Sequence, residues 1–148
     1  MPETHHTHQH APLPDLFGGR RMSAARLRIA ASVPSIGGAF TAEDLHEVVS
    51  AGDGPGIGVA TVYRAVAAMT AAGSLAAVGA RDGSTLYALC TGGEHHHHLV
   101  CTGCGTVVGI GCPIDGALRR SAEEAGYTVT SHEVTLYGLC RDCSGKRA

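Results

Sequence analysis

Two Cys-x-x-Cys pairs, Cys101/Cys104 and Cys140/Cys143, constrain what this chain can fold into more than any other feature. Four thiolates presented in two knuckles suit a tetrahedral zinc ion, and such a closed set leaves no position open for chemistry. The 35 residues between Cys104 and Cys140 exceed the usual gap of a zinc ribbon. A strand, a helix and a strand fit into that gap and fold back to bring the pairs together, so that the ion clamps both ends of a small module. Thiol redox chemistry, the other use of such pairs, needs an exposed cysteine of low pKa in a thioredoxin-like setting, and nothing here resembles one.

The remaining composition explains why a clamp is needed. No Trp and only two Phe stand behind a hydrophobic content of 44%, so the core is built largely of Ala and Val and is thin. Twenty-one glycines raise the entropy cost of folding. A length of 148 residues allows one domain, or two small ones completed by metal or by a partner, and two is the reading here. No apolar run of 18 residues or more occurs, and the N-terminus lacks a signal-peptide core, so a cytoplasmic protein without membrane association is expected. Cysteines stay reduced there, and their paired spacing points to metal.

Residues 1–14, with four histidines and three prolines, are expected to be a disordered tail. A helix is expected over Arg20 to Val33, stopped by Pro34. Thr41 opens a second helix through Ser50, with Glu43 and Asp44 in its first turn. A third runs from Val59 to Ala72, its core face set by Val59, Val62, Val66 and Met69, with Thr61, Arg64 and Ala68 outward. Strands at Leu75–Val78 and Ser84–Leu89 meet at an Asp82-Gly83 turn. Three helices and a hairpin predict a winged helix-turn-helix domain over residues 15–89. Composition changes across a hinge at 90–94, and residues 95–148 predict an α/β module with strands at 95–101, 106–110 and 127–137 and a helix at 114–125. The whole is an α+β protein.

Net charge is only -2, so any nucleic-acid partner must be met by local charge. Arg20, Arg21, Arg26 and Arg28 lie within nine residues that hold no acid, a candidate phosphate-facing patch on a stretch that otherwise reads as a solvated helix face. The run His95 to His98 precedes Cys101, and in an extended strand His96 and His98 face one way, His95 and His97 the other. Cys90 is placed to join one pair, making a mixed sulfur and nitrogen set suited to zinc or Cu(I). His132 is placed to join the other pair.

Together these features resemble the ferric-uptake-regulator (Fur) family of metalloregulators. The segment Gly58-Val59-Ala60-Thr61-Val62-Tyr63-Arg64 resembles the family's recognition helix, and Thr41-Ala42-Glu43-Asp44-Leu45-His46 its second helix. Cys90 through Gly105 is similar to the zinc-uptake regulators, and His132 through Cys143 to the closing stretch, so the resemblance spans about residues 20–143. It implies a homodimer whose C-terminal module is the dimerisation domain, on a near-palindromic double-stranded operator. It also implies structural zinc on Cys101, Cys104, Cys140 and Cys143, a regulatory site of Cys90, His96 and His98, and a further site of His95, His97 and His132. Arg21, Arg26 and Arg28 would meet phosphates, and Thr61, Tyr63 and Arg64 the bases.

In the zinc sensors each mixed site also has a carboxylate. Here Ala76 stands fourteen residues before Cys90 and Gly116 twelve after Cys104, where acids are expected. Asp115 is the adjacent substitute for the further site and Cys112 a second candidate, and the expectation is a three-ligand site completed by water or by Cys112. The expectation is a zinc-responsive repressor, with iron, peroxide or nickel sensing and zinc storage as alternatives. An enzyme is disfavoured, since neither His-Glu-x-x-His nor the zinc-deaminase pattern occurs.

Overall fold

The computed structural model describes residues 16–90 and 97–146, so the expected tail, His95 and His96 lie outside the described residues. The chain divides into two compact units, residues 1–93 and 94–148.

The first unit holds α1 (Ala24–Ile36), α2 (Ala42–Ala51), α3 (Val59–Ala71), β1 (Leu75–Arg81) and β2 (Ser84–Leu89). Its core gathers one stripe from each helix: Ile29, Ala30 and Val33, then Leu45 and Val49, then Val62, Val66 and Met69. Leu16, Phe17 and Phe40 complete it, so both phenylalanines of the chain are fully buried here. β1 and β2 form an antiparallel hairpin, and Phe40 pairs with Tyr87 to lay the segment before α2 along its edge. At the turn Asp82 and Gly83 both take positive φ, 51° and 84°, the pair of left-handed residues that a two-residue hairpin requires. This is a winged helix.

Three expectations are corrected. Helix α1 begins at Ala24 behind a Ser23 cap, so Arg20 and Arg21 precede it, and it runs through Pro34 to Ile36. Proline removes one hydrogen bond in the last turn, and burial of Val33 with packing of Ile36 on the core outweighs it. On α3, Ala68 is buried and Val59 exposed. That helix packs against α1, α2 and β1, which widens its buried stripe to include Ala65 and Ala68 and leaves Val59 at its start outside.

The second unit holds β3 (His97–Cys101), β4 (Val107–Ile110), α4 (Gly116–Glu124), β5 (Thr135–Gly138) and α5 (Arg141–Gly145). β3 is central, antiparallel to β4 and parallel to β5. The last strand is shorter than expected, because its pairing with β3 starts only where His98 N–H donates to the Val134 carbonyl. Among the described residues only His97, His98, Val100 and Cys101 of this unit are buried, and α4 buries none. Packing alone does not account for its stability.

Helix α2 is closed by a reciprocal box: Asp44 N–H donates to Thr41 Oγ1, and Thr41 N–H to the Asp44 carboxylate. Burial works to raise the Asp44 pKa, but the Thr41 N–H and the paired Arg81 guanidinium outweigh it and hold it below its ordinary value. A carboxyl so lowered stabilises the fold above its ordinary value and loses that contribution as pH falls through the folded-state value. Asp44→Asn is therefore expected to cost about 1 kcal/mol at neutral pH, with the difference closing in acid, as read by urea denaturation across pH.

Candidate functional site

Because β4 runs antiparallel to β3 and β5 parallel to it, the sheet gathers ligands at both of its ends. At the C-terminal end of β3 stands Cys101; the turn into β4 carries Cys104, and Cys140 and Cys143 follow the end of β5. The four sulfurs all lie within 4.8 Å of one another. Bonds of about 2.3 Å at tetrahedral angles put sulfurs about 3.8 Å apart, and Cys104 and Cys140 stand at 3.8 Å. The donor set and spacing fit zinc.

Local chemistry prepares this cluster. The Cys140 N–H donates to Cys101 Sγ at 3.3 Å, and this bond, with further backbone donors at Cys104 and Gly103, lowers the Cys101 pKa to about 6. The Thr106 hydroxyl lowers Cys104. Hydrogen bonding with Cys140, Cys101 and Cys104 pushes Cys143 up to about 12. One thiolate thus forms readily while another keeps its proton until a cation compensates, and metal uptake must release protons. Gly103 makes the knuckle possible: a Cβ there would lie 2.9 Å from both Cβ and Sγ of Cys143.

At the opposite end of the sheet, His97 begins β3, Cys112 follows β4 and His132 precedes β5, and their ligand atoms also lie within 4.8 Å of one another. Cys112 Sγ is 3.0 Å from His132 Nε2, and the two imidazole centroids are 5.0 Å apart. The Val134 N–H donates to His97 Nδ1 and fixes that ring. Alternation puts His97, Leu99 and Cys101 on one face of β3, so the two clusters share that face, separated by four residues or about 13 Å.

Other expected ligands fall elsewhere. Asp115 is not in this cluster: its carboxylate caps α4, accepting from Ala117 and Leu118 N–H. Gly116 is the first residue of that helix. His98 is buried on the other face of β3 from His97. Cys90 follows β2, its N–H donating to the Ser74 carbonyl, and burial pushes its thiol pKa up.

On α3, Tyr63 and Arg64 are exposed and Thr61 half-buried. The Tyr63 hydroxyl donates to the Glu43 carboxylate of α2, which holds the Glu43 pKa down and the Tyr63 pKa up. Arg64 donates to Thr61 Oγ1 at 3.0 Å, tying two expected base-reading residues together. Arg26 lies 5.3 Å over the Phe17 ring and donates to the Arg21 carbonyl. Arg28 is committed inward, donating to the Val49 and Pro55 carbonyls and so pinning the loop after α2 to α1. The sequence places Glu43 at the start of α2 without indicating its contact with Tyr63, and Gly103 carries no expectation there. The acid in the first turn of α2 and the glycine inside a Cys-x-x-Cys knuckle were the available signals.

A winged helix joined in sequence to a unit with two metal-ligand clusters defines a metal-holding regulator of the helix-turn-helix class. The sequence profile of the ferric uptake regulator family matches residues 18–137, and the chain belongs to that family of metal-responsive transcription regulators. It is 38% identical over 108 residues to the ferric uptake regulation protein of Neisseria gonorrhoeae, covering 72% of this chain and 74% of that one. It is 29% identical over 127 residues to the zinc uptake regulation protein of Mycobacterium tuberculosis, covering 84% and 95%. A solved zinc uptake regulator in complex with zinc and DNA shares the fold, with a TM-score of 0.70 at 21% identity, covering 88% of this chain and 87% of that one.

Gly103→Ala is expected to weaken zinc at the four-cysteine cluster by about 1–3 kcal/mol, the usual cost of forcing atoms into a filled site. Competition against a chromogenic chelator measures it, and an unchanged affinity would show that the knuckle does not need the glycine.

Proposed function

We propose that this chain is a zinc-responsive transcriptional repressor that binds a near-palindromic DNA operator as a homodimer. The observation that carries this reading is the sulfur content of its clusters. Cys101, Cys104, Cys140 and Cys143 make a structural zinc site, and Cys112 brings a further thiol to His97 and His132. Thiolate with imidazole favours zinc over the harder ions, and Cys90, with His96 and His98, is assigned to the regulatory site on the family pattern. One relative is named for iron and another for zinc, so the ligand chemistry is what favours zinc.

A second copy of the chain suits the second unit. Leu99, Val108 and Leu136 are direct cross-strand neighbours on β3, β4 and β5, and they are 41%, 48% and 48% exposed. An apolar face on a unit with so few buried residues is what dimerisation would cover. In the first unit α3 presents Tyr63, Thr61 and Arg64 to the bases, while Arg21 and Arg26 meet phosphates; Arg28, bound to carbonyls, is dropped from that set. Metal binding shifts the population toward the DNA-competent arrangement only as far as it binds that arrangement more tightly. Among the described residues no helix is long and apolar enough to cross a membrane.

Gel-shift titration of the zinc-clamped dimer against fragments of its own genome, at buffered free zinc, tests this. Zinc-dependent retention of a few palindromic fragments is expected, with affinity falling steeply as salt rises. Retention that ignores zinc would refute the sensing role, and absence of any specific retention would point to metal storage instead.

A further inference from the structure

We infer that Cys112 is a sulfur ligand that joins His97 and His132 in a mixed site selective for zinc-like, thiophilic ions and against manganese and other hard cations. The three donors converge because of the sheet order. His97 opens the central strand, Cys112 lies two residues past Ile110, which pairs with His97, and His132 lies three residues before Thr135, which pairs with His98. Each neighbouring strand therefore delivers one ligand to the same corner, and the ligand atoms lie within 4.8 Å of one another.

The nearest carboxylate in sequence is engaged elsewhere. Asp115, three residues beyond Cys112, points its carboxylate at the N–H groups of Ala117 and Leu118 and caps α4. Moving it to a metal would strip that helix of its cap, which is worth about 1 kcal/mol. The sulfur is free of any such duty in the fold: Cys112 is exposed, and its partner is His132 Nε2 at 3.0 Å. His97 is buried and oriented by the Val134 N–H, the kind of outer hydrogen bond that fixes a ligand ring. Two imidazoles and a thiolate suit zinc, cobalt(II) and Cu(I); manganese(II) and magnesium prefer oxygen. Binding would remove the thiol proton, which passes to solvent.

This inference rests on the zinc reading above and deepens it, and because its test uses no DNA, failure of the site and failure of operator binding are distinguishable. The full-length protein with structural zinc in place and Cys90→Ser, which removes the other candidate thiolate, is titrated with cobalt(II) while its zinc content is monitored. A thiolate-to-cobalt charge-transfer band is expected to appear without zinc loss and to vanish in the added Cys112→Ser variant. Manganese(II) in large excess should leave the band unchanged, whereas Cys112→Asp should bind cobalt without the band and become open to competition by manganese. A band that persists in Cys112→Ser, or no band in the parent although cobalt binds or fails to bind there, overturns the assignment.

Discussion

The second unit stands or falls on the contact between the Cys101 sulfur and the segment that follows β5. Its few buried residues sit on one strand, and the helix that should close a small α/β module buries nothing. The Cys140 N–H bound to Cys101 Sγ, and the Thr102 N–H bound to the Gly138 carbonyl, fasten the last strand to the first at the place where four sulfurs meet. Fifty-odd residues make only a marginal core, and a metal that binds only the folded arrangement would add its binding free energy to that of folding. The winged helix depends on none of this, because two phenylalanines and three helical stripes give it a core of its own.

The same strand organises both metal clusters. With β3 in the middle, an antiparallel neighbour on one side and a parallel neighbour on the other, each end of the sheet collects one chain crossing from every strand. Ligands distant in sequence, such as Cys101 and Cys143 or His97 and His132, become neighbours without long loops of their own. Both clusters therefore depend on the integrity of one three-stranded sheet.

Much of this was legible in the residues. The two Cys-x-x-Cys pairs announced the zinc-type cluster, the Asp82-Gly83 pair located the wing, and the alternation along the histidine run separated His97 from His98. What stayed hidden depended on three-dimensional alternatives that spacing does not weigh. Pro34 signals a helix end by its own chemistry, yet Val33 and Ile36 had core to reach, and the helix continued. Asp115 and Cys112 were both near the vacant ligand position, and only the start of α4 showed that the carboxylate was already committed. Arg28 looked like its neighbours in a basic run, because nothing in sequence places the Val49 and Pro55 carbonyls beside it.

The contrast between a well-packed first unit and a sparsely packed second one bears on how such a protein changes over generations. A substitution in the first unit that alters a stripe residue meets the full resistance of a close-packed core. In the second unit, an exposed loop position such as Cys112 has little packing to violate, so a change of side chain there carries almost no folding penalty. The second cluster thereby sits where packing tolerates substitution, and the core that holds α3 sits where it does not. A lineage of this architecture is free to vary the donors of that cluster while leaving the packing of the winged helix untouched.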